Sequence, residues 1–248
     1  MSRNLREFDT AKLLALCGRH VYHGGGVVVP EPYVPFIPRL PSGWNGILVV
    51  AIAQNLADTQ REYREWLESL KPHDRWNRLN IDGSPLKGIG IGPWDDGTIK
   101  LCVAALRGAK AVDRIAVSNA ILWSGRDGGA VELLSKQAGI ASAEAWREML
   151  HVTNPAEVIA FGSDAHKVMK KAGVPQDRLV CMPGPFVRKY SFSFRMDVGR
   201  LVSAFPEVAR ARADLAGRVE LAHEAMAIHC ACACVSLTLE RGCTSVAV

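Results

Sequence analysis

Two asparagines and a methionine stand where a parallel-sheet enzyme keeps its chemistry. Asn55, in Ala53-Gln54-Asn55-Leu56-Ala57, and Met182, heading Met182-Pro183-Gly184-Pro185-Phe186, each follow an apolar run that reads as a buried strand. Ligands of open α/β sheets bind outside the carboxyl ends of strands. Asn119 ends a further run over residues 114–119. An amide does not titrate usefully, so Asn55 is no strong general base. Its carbonyl oxygen can align a water, or it is a turn residue after a strand. Asn119 either caps a strand end or offers a donor and an acceptor together, the way amides pair with base edges. Met182 can donate no hydrogen bond. In Gly92-Pro93-Trp94-Asp95-Asp96-Gly97, the adjacent carboxylates either supply a base or form a hydrated turn. Trp94 is either structural or a stacking platform.

The net charge of +5 is unevenly placed. Between Pro185 and Arg218, seven basic residues (Arg188, Lys189, Arg195, Arg200, Arg210, Arg212, Arg218) face three acids. That segment is either a solvated helix face or a phosphate-contacting rim. Near the carboxyl terminus, His229-Cys230-Ala231-Cys232-Ala233-Cys234 invites a metal reading, with His223 before it and Cys243 after. The Cys-x-Cys-x-Cys spacing fits no common zinc pattern, and Cys17, Cys102 and Cys181 stand alone in the sequence. Val219, Ala222, Met226, Cys230 and Cys234 keep helical steps, so the expected role is a buried helix. No metal and no cofactor is expected.

The elements that must position these residues follow from hydrophobic patterning. Residues 47–53, 114–119, 157–162 and 178–182 read as strands, and 58–70, 142–150 and 163–172 as helices. Residues 98–108 fit a helix or a short strand, and residues after Asp197 read as helices. Strands alternating with helices imply parallel crossovers. The fold expected is a three-layer α/β/α sandwich around a short, mainly parallel four-stranded sheet. A helix over 5–22 and an arm holding Pro30, Pro32, Pro35, Pro38 and Pro41 precede it. The expected organisation is one domain over 1–218, with residues 1–41 as helix and arm, and a helical, Cys-rich tail over 219–248. With 248 residues and 48% hydrophobic composition, the chain can bury a sizeable core. A polar start, no apolar run near membrane-helix length, and seven cysteines without a framework spacing point to a cytoplasmic protein away from membranes.

In order and spacing, these loops resemble the uracil-DNA glycosylase superfamily over roughly residues 30–205. Its members have a short parallel sheet between helices. They carry a Gly-x-(Asp, Asn or Glu)-Pro-like loop after the first strand and often His-Pro-Ser-Pro-Leu after the last. Residues 53–57 fall on the first loop, 182–186 on the second, and Asn119 on an asparagine that in several branches bonds the flipped base. Pro41-Ser42-Gly43-Trp44-Asn45 and residues 158–165 also look like the superfamily.

The resemblance implies a monomeric protein that hydrolyses the N-glycosidic bond of a deaminated or damaged base (of uracil, hypoxanthine or xanthine type) in DNA repair. Asn55 and the Met182 position would be catalytic. Gln54, Ala57, Trp94 and Asn119 would hold the base. Pro183, Gly184, Pro185, Phe186, Arg188 and Lys189 would contact DNA, Phe186 as the wedge that fills the gap. Ala57 replaces a bulky tyrosine of the strict uracil enzymes, which implies a broader pocket. Met182 replaces a histidine that donates to the base oxygen, and loss of one such donor costs about 3–4 kcal/mol of transition-state stabilisation. Two alternatives follow: a DNA-binding module with the same fold and weak or no catalysis, or a small-molecule hydrolase that binds nucleosides or bases.

Overall fold

Consecutive β-branched and aliphatic residues leave a strand no polar face, so Ile47–Ala53 must be covered on both sides. It is the second strand (β2) of a computed structural model that describes residues 27–28, 41, 43–53, 97–121, 124–125, 136–184 and 198–240. The other strands are β1 (Val27–Val28), β3 (Ala116–Ile121), β4 (Ser124–Gly125), β5 (Glu157–Phe161) and β6 (Leu179–Met182). The helices are α1 (Thr98–Arg107), α2 (Ala109–Val112), α3 (Lys136–Thr153), α4 (Ser163–Lys171), α5 (Val198–Ala204), α6 (Pro206–Asp214) and α7 (Glu224–Glu240), with a 3₁₀ turn at Leu221–His223. The expected helices over 5–22 and 58–70 and the proline-rich arm lie outside the described residues.

The main sheet is four-stranded and parallel throughout, in the order β3-β2-β5-β6. β1 and β4 form a separate two-residue antiparallel pair. Alternation along each strand separates two cores. Leu48, Val50, Ala116, Ala120, Val158 and Ala160 pack with Trp146 and Met149 of α3 and Met169 of α4. Val49, Ala51, Ile159, Phe161 and Met182 pack with α1, α6 and α7. The chain is therefore an α/β/α sandwich, as its patterning implies.

The helix ends are chemically specified. Asn154 takes a left-handed φ of 44° after α3, its N–H bonds the Leu150 carbonyl, and Pro155 forbids continuation. Gly173 closes α4 in a Schellman motif: its N–H bonds the Lys170 carbonyl, and the Val174 N–H bonds that of Met169. Pro206 opens α6, where no backbone donor is needed.

Two expectations shift. The third strand of the chain starts at Ala116, because the Arg114 N–H is turned back to the Ala111 carbonyl. It also continues past Asn119 to Ile121. Of residues 98–108, Thr98–Arg107 is helix, and Gly108, with φ 82°, ends it. The expected boundary at 218 is bridged by packing. α7 places Ile228, Cys230, Ala231 and Cys234 in the core that also holds Val49 and Ile159.

Candidate functional site: the carboxyl edge of the sheet

Strand entry fixes where the candidate loops leave. Trp44 Nε1 donates to the Ile47 carbonyl at 2.8 Å, and Asn45 Oδ1 accepts from the Ile47 N–H at 3.1 Å. The Asn45 N–H reaches the Arg114 carbonyl, and the Ala156 N–H reaches that of Gly46. The amino ends of β2, β3 and β5 are thereby aligned, so their carboxyl ends share one edge. There the Gly162 N–H donates to the Met182 carbonyl at 2.9 Å, tying β5 to β6. Gly162 has φ +95°, and a Cβ on it would meet Ile52 Cδ1 at 3.1 Å and Gly184 Cα at 3.8 Å. The left-handed φ, more than the space, favours glycine here.

Asn119 lies two residues inside this edge, because β3 runs on to Ile121. It pairs in register with Ala51 of β2 and is fully buried. Its backbone carbonyl accepts from Trp146 Nε1 at 3.2 Å, an indole that also donates to the Ala120 carbonyl at 2.9 Å. Its side chain is different: neither Oδ1 nor Nδ2 has a hydrogen-bond partner among the described residues. A buried amide left unpaired costs about 1–3 kcal/mol, and such groups in native folds call for a ligand or water.

Met182 lies on the same sheet face, paired in register with Phe161. It is 4% exposed and packs in the cluster of Ile159, Phe161 and Val208. It is an apolar core residue, and it brings no donor to the edge. Asn119 and Met182 lie on opposite edge strands, three strand spacings or about 14 Å apart. They do not meet directly. Pro183 and Gly184 follow β6, with Gly184 buried. Gln54, Asn55, Ala57, Trp94, Pro185, Phe186, Arg188 and Lys189 lie outside the described residues, as do Asp95 and Asp96.

The basic segment divides. Arg212 Nε donates to Glu224 Oε1 at 2.7 Å, and Arg218 Nη2 to Asp113 Oδ1 at 2.5 Å. Arg200 and Arg210 are exposed. A cleft of about 320 Å³ opens at the other end of the sheet, among Arg147, His151, Asn154 and Arg178. It lies at the amino ends of β5 and β6, away from where open parallel sheets bind ligands. Its arginines also have protein partners: Arg147 donates to the Lys171 carbonyl and Arg178 to Asn154 Oδ1.

A second constellation escaped the sequence reading. Cys102 of α1 meets Cys230 and Cys234 of α7, with all three sulfurs within 4.8 Å of one another. None is in a disulfide. Burial, then hydrogen bonding with Cys230 and Cys234, holds the Cys102 thiol well above its ordinary range. The helical step from 230 to 234 was legible; the partner on α1, far away in sequence, was not.

The span Leu221–Glu240 is long and apolar enough to cross a membrane by length and composition, contrary to the expectation that no apolar run nears that length. In the fold, its middle is core: Ala227, Ile228, Cys230, Ala231 and Cys234 are fully buried. The chain matches no family model, and no curated protein matches it significantly.

Proposed function

We propose that the carboxyl edge of the sheet binds a base extruded from DNA, in the manner of a uracil-DNA glycosylase-like protein. The observation that carries this reading is Asn119, a buried amide with no partner among the described residues, two residues before the carboxyl end of β3. An amide offers the paired donor and acceptor that a base edge requires. Asn55, two residues past Ala53 at the end of β2 in sequence, would position the attacking water. N-glycosidic hydrolysis develops charge on the departing base, so the protein must stabilise that charge and expose the base. Exposed Arg200 and Arg210, together with Arg188 and Lys189, would meet phosphates.

Met182 favours a second reading, a DNA-binding module with little or no catalysis. A buried thioether in an apolar cluster cannot stabilise a base anion. Oligonucleotides carrying uracil, hypoxanthine, xanthine or a mismatch separate the two. Base release that is lost in Asn55→Ala supports the enzyme. Salt-dependent binding without release at high protein concentration supports the module. Binding of free bases but not of DNA refutes both and leaves a small-molecule site.

A further inference from the structure

We infer that Cys102, Cys230 and Cys234 form a binding site for one thiophilic d10 cation, zinc(II) or copper(I), clamping α7 to α1. Three features support it. First, three sulfurs from two helices converge within 4.8 Å in a fully buried position. A trigonal site with metal–sulfur bonds of about 2.3 Å needs sulfurs roughly 4 Å apart, so side-chain adjustments of a few tenths of an ångström suffice. Second, the donors are soft, and soft thiolates select copper(I) and zinc over hard cations. Third, the two cysteines on α7 are four residues apart, on one helix face, and the third comes from the helix against which that face packs. Cys232 is excluded: at two residues from Cys230 it points to the opposite side of α7.

Ligation replaces thiol protons by the metal, and each proton goes to solvent. With zinc(II) and three thiolates the buried site carries one net negative charge. Copper(I) reaches the same charge with two thiolates and one retained thiol. No fourth His, Cys or carboxylate ligand joins the trio among the described residues. Three-coordination suits copper(I), whereas zinc would complete a tetrahedron with one further donor. The inference does not rest on base binding, since none of Cys102, Cys230 and Cys234 is among the residues proposed to contact the base or DNA.

The test uses the full chain, purified reduced and anaerobically, then titrated separately with zinc(II) and with copper(I) before desalting. The expected result is about one retained ion per chain, with a sulfur-to-metal charge-transfer band and a raised melting temperature. Affinity should fall at least about tenfold in Cys234→Ala and in Cys102→Ser, while Cys232→Ala binds like the parent. If a variant fails to fold, cobalt(II) substitution of the parent reads the ligands directly, since thiolate ligation gives intense near-ultraviolet absorption. Sub-stoichiometric retention of both ions overturns the proposal. So does equal retention by Cys234→Ala, a disulfide within the trio, or bound iron with acid-labile sulfide.

Discussion

Asn119 is held in a state that folding alone does not reward. Its neighbours on the sheet are apolar, its side chain is fully buried, and its amide atoms find no partner among the described residues. Replacing a buried unpaired amide by an apolar group of similar shape removes the desolvation penalty. Asn119→Leu is therefore expected to leave stability unchanged or raise it by about 1–2 kcal/mol in urea unfolding, while abolishing binding of a base. Destabilisation by more than about 1 kcal/mol would mean that the amide is satisfied within the fold, and the base-reading role would go with it. His229 is a second buried polar side chain. It is 5% exposed on α7, and burial lowers its pKa from the ordinary 6.5. A depressed histidine pKa means that the unfolded chain binds more protons once pH drops below about 6.5, so stability falls with pH there. The melting temperature should decline between about pH 7 and pH 5, and His229→Gln should flatten that slope. An unchanged slope would show that other groups govern the acid limb.

Among elements, α1 meets the carboxyl-terminal segment closely at Gly97. Gly97 has φ +91°, and a Cβ there would lie 2.4 Å from the Arg218 carbonyl oxygen and 2.6 Å from Val219 Cα. Both atoms are backbone, so neither yields cheaply. Gly97→Ala should cost at least about 3 kcal/mol, from the left-handed φ and from overpacking together. Gly173→Ala, at φ +96° with nothing within 4 Å, isolates the first effect and should cost about 1–2 kcal/mol. Equal losses in denaturant melts would refute the close approach. The sequence foretold these elements unevenly. Strands β2, β5 and β6 were legible because apolar runs bounded by turn residues admit little else. β3 slipped by two residues because Arg114 and Ile115 pattern like strand but close a turn, whereas polar Ser118 and Asn119 continue the ladder. α3 runs from Lys136 to Thr153, far beyond the expected 142–150, because Gly139 and its small neighbours hid the first turns. Of the site, the position of Met182 at a strand end was readable, whereas Asn119 lies two residues inside β3. Their separation was not readable, since sequence order does not reveal that β3 and β6 occupy opposite edges.

For the whole molecule, the decisive question is whether the carboxyl-terminal helix is an appendage or part of the core. The bidentate pair of Arg107 with Glu157 ties the end of α1 to the start of β5, so α1 is anchored to the sheet. α7 packs on that same helix and buries Ala227, Ile228, Cys230, Ala231, Cys232, Cys234 and Val235. Arg212 with Glu224, and Arg218 with Asp113, stitch the connecting turns to both neighbours, although exposed pairs of this kind add little. Fully burying an Ile or Val side chain contributes about 1.5–3 kcal/mol, and removing α7 also uncovers the face of α1 it packs on, around Cys102. The loss approaches or exceeds the roughly 5–15 kcal/mol that keeps a domain folded. A chain ending at Arg218 should therefore be insoluble or lack a cooperative melt. The full-length protein should unfold in one transition, without early loss of α7. A soluble 1–218 fragment with a cooperative transition near the parent's would show that α7 is an appendage. The trithiol site would then staple on a dispensable helix instead of closing the core.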